Sequence, residues 1–91
     1  MEITDVRIFP VEEKRVKAYA SIVFDDCFIV RDVKVIQGED KFFVAMPSKK
    51  MKDGSFRDIV HPLDSNTRQL IERSILGAYE TQLAGIEVNA Q

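Results

Sequence analysis

A chain of 91 residues makes one domain with one small core and little room for a deep pocket. Its 45% hydrophobic and 31% charged content excludes a disordered chain, and no run of about 18 apolar residues exists to span a membrane. The formal net charge of −2 gives no overall attraction to nucleic acid, and a single cysteine excludes an internal disulfide.

The first ten residues, MEITDVRIFP, lack a basic stretch leading into a long apolar core. No signal peptide is expected, and the cytoplasm is the default compartment. In TDVRIFP the residues Thr4, Val6 and Ile8 share one face of a strand, with Asp5 and Arg7 on the other. Pro10 ends that strand, and VEEKR is a polar connection. VKAYASIVF follows, with Ala18, Ala20, Ile22 and Phe24 on one face and Tyr19, Ser21 and Val23 on the other. Asp25-Asp26 reads as a tight hairpin turn, because Asp tolerates unusual backbone angles.

CFIVRDVKVI returns as a third strand. Arg31, Asp32 and Lys34 interrupt it, which suits an antiparallel sheet covered on one face only. Cys27 reads as a small strand residue, since the neighbouring Asp25 and Asp26 oppose a reactive thiolate. QGED is a turn in which Gly38 is free to take positive φ. KFFVAM is the fourth strand, and Pro47 stops it.

The loop PSKKMKDGSFRDIVHP comes next. Asp53-Gly54 is a turn signal within it, and SFRDIV is expected to form a short fifth strand paired back across that turn. His61-Pro62 introduces the only helix. Asp64, Ser65 and Asn66 are all good N-caps, and Asn66 with Gln69 has capping-box spacing. Leu70, Ile71, Ser74, Ile75, Ala78 and Tyr79 form one apolar stripe, while Arg68, Glu72, Arg73 and Glu80 point elsewhere. Gly77 either weakens the helix or permits close packing. The helix is expected to end before Gly85, leaving residues 85–91 as a frayed tail behind a single domain over residues 1–84.

The fold class is therefore α+β: a small antiparallel sheet of four to five strands with one C-terminal helix on its covered face. Such a sheet has two edges, and an edge-paired homodimer is expected to cover one of them.

The chemistry-bearing residues are few. His61 is the only histidine, with Asp58 and Asp64 near it in sequence. A His-Asp base is conceivable there, but a histidine that holds the loop-to-helix junction is the plainer account. No nucleophile elbow, glycine-rich phosphate loop or metal-binding helix motif occurs. Asp25, Asp26 and Asp32 supply no full ligand set at fixed spacing. No enzyme activity, cofactor, metal or small-molecule substrate is expected.

What does stand out is charge placement. Residues 47–57 hold Lys49, Lys50, Lys52 and Arg57 against Asp53, a local +3 in a chain whose net charge is −2. A solvated loop accounts for this as well. Lysines suit phosphates, and arginine binds phosphate or a guanine edge through two bonds. Just beyond, Ser65, Asn66, Thr67 and Arg68 place short donors and one long cation at a helix start, whose free N–H groups favour an anion. Phe56 is expected to pin the loop to the core, with stacking on an exposed base as the alternative.

A more specific signal lies in the order of the motifs. Ile3-Thr4-Asp5-Val6-Arg7 opens the first strand, and Ala18-x-Ala20-Ser21-Ile22 leads into Phe24-Asp25-Asp26 and Phe28-x-Val30-x-Asp32. Met46-Pro47-Ser48-Lys49-Lys50, Asp53-Gly54, Phe56-Arg57-Asp58-Ile59 and His61-Pro62 then follow. This series, over residues 1–83, closely resembles the stage V sporulation protein G (SpoVG) family. The resemblance implies a bacterial, cytoplasmic, dimeric regulator that binds DNA and RNA, with family names that refer to sporulation and septation. It implies that the basic pair of the signature is Lys49 and Lys50, its arginine Arg57, and its helix start Ser65-Asn66-Thr67-Arg68. Met51-Lys52 and Val60 depart from the family pattern, and the first makes the loop more basic. A protein–protein interaction module of the division or stress machinery, docking by a sheet edge or the basic loop, is the alternative from a different class.

Overall fold

A computed structural model describes residues 1–89. The first three strands are β1 (Ile3–Pro10), β2 (Val16–Phe24) and β3 (Phe28–Gln37). β4 (Phe42–Ala45) completes an antiparallel sheet of order β1-β2-β3-β4. The short strands β5 (Ser48–Lys50) and β6 (Phe56–Asp58) form a separate two-stranded sheet. The helix α1 (Ser65–Asn89) closes the chain.

The β2–β3 turn follows from its two aspartates. Asp25 and Asp26 sit at φ 51° and 54°, and the Cys27 N–H donates to the Phe24 carbonyl at 3.0 Å. Two successive left-handed residues closed by that bond make a type I′ turn, whose twist matches the flanking strands. The turn is also tied to β1. The Asp25 N–H donates to the Glu2 carbonyl, and the Glu2 N–H donates back to the Asp25 carboxylate, both at 2.8 Å. The Asp26 N–H donates to the Thr4 hydroxyl at 2.9 Å. These aspartates thus serve the turn, and Thr4 is exposed rather than facing the core with Val6 and Ile8.

Arg31 and Asp32 do more than wet one side of β3. Ala20 pairs with Val33 and Ile22 with Val30, so β3 carries one extra residue over that step. Asp32 takes φ 61° to absorb it, which makes a β-bulge. The bulge lets Val30 and Val33, three apart, both point into the core.

The core lies between one face of the sheet and the helix. Ala18, Ala20, Ile22 and Phe24 of β2 are buried as the alternation requires, with Ile8, Val30, Val33, Val35, Val44 and Met46. Ile71, Ile75 and Tyr79 of the helix pack against them at i, i+4 and i+8. The Tyr79 ring meets the Phe42 ring edge-on at 5.6 Å. Leu70, expected in the stripe, is 45% exposed, and Leu76 packs on the core margin instead. With Ile71, Ile75 and Tyr79 centred on the sheet, the 100° step per residue rotates Leu70 out of the interface.

Two local expectations are corrected and one is narrowed. Gly38 does not take positive φ; a Cβ there would lie 2.9 Å from the Lys41 carbonyl oxygen, so the turn needs glycine for close approach. A Cβ at Gly77 would meet nothing within 4 Å, so no packing reason holds glycine there. The helix passes Gly85 and continues to Asn89, because a glycine costs a helix only about 1 kcal/mol and no proline follows to stop it. Residues 90–91 of the expected tail lie outside the described residues.

Candidate nucleic-acid interface

The basic loop is a β-hairpin. Its three-residue tip, Lys52-Asp53-Gly54, is closed by the Met51 N–H donating to the Ser55 carbonyl at 2.7 Å. The Gly54 N–H donates to the Met51 carbonyl at 3.0 Å, and Gly54 sits at φ 90°. A type I turn followed by one left-handed glycine is the usual solution for a hairpin loop of this length. The Asp53 carboxylate stiffens it by accepting from the Ser55 N–H at 2.9 Å and the Ser55 hydroxyl at 2.6 Å. Those two bonds hold the Asp53 carboxyl below its ordinary pKa.

The register decides how the cations are displayed. Lys49 lies directly opposite Arg57, Lys50 opposite Phe56, and Ser48 opposite Asp58. Neighbouring residues of a strand face opposite ways, so Lys49 and Arg57 share one face and Lys50 shares the other with Phe56. Lys52 stands at the tip. The four cations therefore surround the hairpin and do not form one flat patch. Like charges directly opposite each other weaken a strand pair, so folding alone gives no reason for Lys49 to face Arg57. Among the described residues the one ion pair is Arg7 with Asp5, and Lys49, Lys50, Lys52, Arg57 and Arg68 have no carboxylate partner.

Phe56 does not pin the hairpin to the core; it is 71% exposed. The hairpin forms its own sheet, and its extensive contacts are between its own two strands. Ile59, Val60 and Leu63, which continue from it toward the helix, are also exposed, Leu63 at 92%.

The helix start uses one of its three eligible caps. Asp64, not Asn66, is the N-cap: its carboxylate accepts from the Thr67 N–H at 2.7 Å and from the Thr67 hydroxyl at 3.1 Å. The Thr67 N–H foremost lowers the Asp64 pKa, so the helix terminus already holds an anion of its own. The hydroxyl of Thr67 is committed to that cap. Ser65, Asn66 and Arg68 are exposed and remain the residues of this group able to reach a ligand. No hydrogen bond among the described residues joins the hairpin tip to the helix start, and the cavities lined by Lys49–Asp53 and by Phe56, Arg57, Asp58 and His61 share no residue. His61 is exposed with Nδ1 3.1 Å from the Pro62 carbonyl oxygen, and neither Asp58 nor Asp64 bonds it.

The comparisons with known proteins match this frame. The SpoVG family model matches residues 1–81. The chain belongs to the SpoVG family. A SpoVG protein of Bdellovibrio bacteriovorus is 61% identical over 91% of this chain and 77% of its own length. One of an Anaeromyxobacter species is 57% identical over 91% of this chain and 86% of its own. One of Agathobacter rectalis is 51% identical over 94% of this chain and its whole length. The names of these relatives give them a provisional place in septation. The SpoVG match takes in the hairpin and the start of the helix. Among the described residues no helix is long and apolar enough to cross a membrane.

Proposed function

We propose that this chain is a homodimeric regulator that binds DNA or RNA through the β5–β6 hairpin. It acts in the cytoplasm, in septation, sporulation or related gene expression, without catalysis or cofactor. The observation that carries this reading is the cross-strand pair of Lys49 and Arg57 on an exposed hairpin, with no ion-pair partner for either among the described residues. Lys49, Lys50, Lys52 and Arg57 contact phosphates, and Ser65, Asn66 and Arg68 add contacts from the helix start. Thr67 acts indirectly, through the Asp64 cap. Membership of the SpoVG family supports the reading, and the septation role follows the names of the relatives.

Fluorescence anisotropy against labelled duplex DNA, single-stranded DNA and RNA, from about 50 to 300 mM salt, tests it. Four phosphate contacts per subunit give a log–log salt slope near −3.6, up to about double for a dimer. Absence of binding to all three at the lowest salt refutes the reading.

A second reading is favoured by one observation. Phe56, Ile59, Val60 and Leu63 are exposed together along one short segment. Such a segment also suits a protein partner of the division machinery. That mode of binding responds weakly to salt and is not displaced by polyanions.

A further inference from the structure

No described element covers the face of the four-stranded sheet turned away from the helix. Cross-strand register assembles it from Asp5, Arg7 and Phe9 of β1, Tyr19, Ser21 and Val23 of β2, and Ile29 and Lys34 of β3. Phe9 lies directly opposite Tyr19, and Tyr19 opposite Lys34. Arg7 lies opposite Ser21, and the β3 bulge delivers Arg31 beside them. All of these but Lys34 line a shallow groove of about 510 Å³.

Phe9 is 53% exposed next to the end of the β1–β2 pairing, although a solvent face there has no need of a phenylalanine. Its neighbour Tyr19 presents a second ring, and Arg7, Arg31 and Lys34 stand around the two. The charges are mixed: Asp5 pairs with Arg7 at 3.2 Å, and Asp32 occupies the bulge. Two aromatic rings opposite each other on this face, with Arg7 and Arg31 lining the same groove and Asp5, Asp32 and Glu13 beside them, make a surface on which unpaired bases stack while their phosphates meet the arginines. A duplex offers no base face to it, so the site discriminates strandedness.

We propose that this sheet face is a second binding site, specific for single-stranded nucleic acid, with Phe9 and Tyr19 as stacking rings and Arg7 and Arg31 as phosphate contacts. The proposal rests on the nucleic-acid reading above but uses none of the hairpin residues. Binding of the strand swaps the Arg7–Asp5 pair for an Arg7–phosphate contact, since the pair is exposed and weakly held.

The test uses a fluorescent uridine dodecamer, its deoxyuridine counterpart and a duplex DNA of equal length. Phe9→Ala is expected to weaken the two single strands about 5- to 150-fold, from one lost stack, and to leave duplex binding unchanged. Lys49→Glu is expected to weaken the duplex. Folding of each variant is checked by circular dichroism. Cross-linking of a 4-thiouridine dodecamer to the native chain, read by mass spectrometry, gives a measure that needs no variant. Adducts on peptides carrying Phe9 or Tyr19 support the site. Single-strand binding that survives Phe9→Ala, with adducts confined to residues 47–68, overturns this site and leaves the hairpin reading intact. Binding to no probe overturns both.

Discussion

Lys49→Glu is expected to weaken nucleic-acid binding while leaving the fold as stable as before, or slightly more so. Lys49 faces Arg57 across β5–β6, and the substitution turns a like-charged pair into an ion pair. A favourable cross-strand charge pair contributes about 0.2–1 kcal/mol, and exposure keeps an exposed pair near the lower part of that range. The hairpin packs on neither the main sheet nor the helix to any extent, so its gain is local and the global melting temperature should move by no more than about 2 °C. Binding moves the other way. Loss of one of four phosphate contacts lowers the salt slope from about −3.6 to about −2.7 per subunit, and the introduced carboxylate repels the backbone further. Anisotropy titrations at three or more salt concentrations measure the slope, and calorimetry measures the melting point. Amide exchange at Ile59, whose N–H donates to the Pro47 carbonyl at 2.8 Å, reports the local hairpin. Native affinity with an unchanged slope would show that Lys49 meets no phosphate. A melting point lowered by many degrees would show that Lys49 supports the fold, which the structure denies.

Other expected outcomes concern the scaffold. Ile75→Ala removes a side chain with no exposed surface and should cost about 2–5 kcal/mol, a large part of the stability of a 91-residue chain, whereas Leu70→Ala should change the denaturation midpoint little. Gly77→Ala should stabilise by about 0.4–1 kcal/mol in the same denaturation assay, since its Cβ enters open space in a helix. Asp26→Val should destabilise by roughly 1–2 kcal/mol through left-handed strain, and Asp26→Gly should be tolerated, as thermal melts will show. The capping carboxylate of Asp64 has a lowered pKa, so its contribution is complete above the ordinary Asp value near 3.9 and is lost as pH falls through the lower folded value. Asp64→Ala should therefore flatten the acid limb of the stability curve below about pH 4.

The sheet was legible because its residues obey short-range rules. Alternation in VKAYASIVF assigned Ala18, Ala20, Ile22 and Phe24 to the core, and two successive aspartates announced the β2–β3 turn. The Lys49-Lys50 pair, Arg57 and the helix-start residues stood out by charge and by the SpoVG motifs that contain them. What the sequence alone determined was thus the order of the strands, the single helix and the location of excess charge, all set by local periodicity and turn chemistry. Only the tertiary structure decided that Phe56 faces solvent, because exposure depends on which element packs over a residue, and among the described residues no other element packs extensively on β5–β6. Pairing register placed Lys49 against Arg57 and Phe9 against Tyr19, and it turned Arg31 and Asp32 from an interruption into a bulge. Which of three eligible residues capped the helix was settled by which side chain lies within reach of a free N–H at its start. A cap needs its side-chain oxygen near a free N–H in space as well as in sequence, and among the three it is the Asp64 carboxylate that accepts from such a group, the Thr67 N–H.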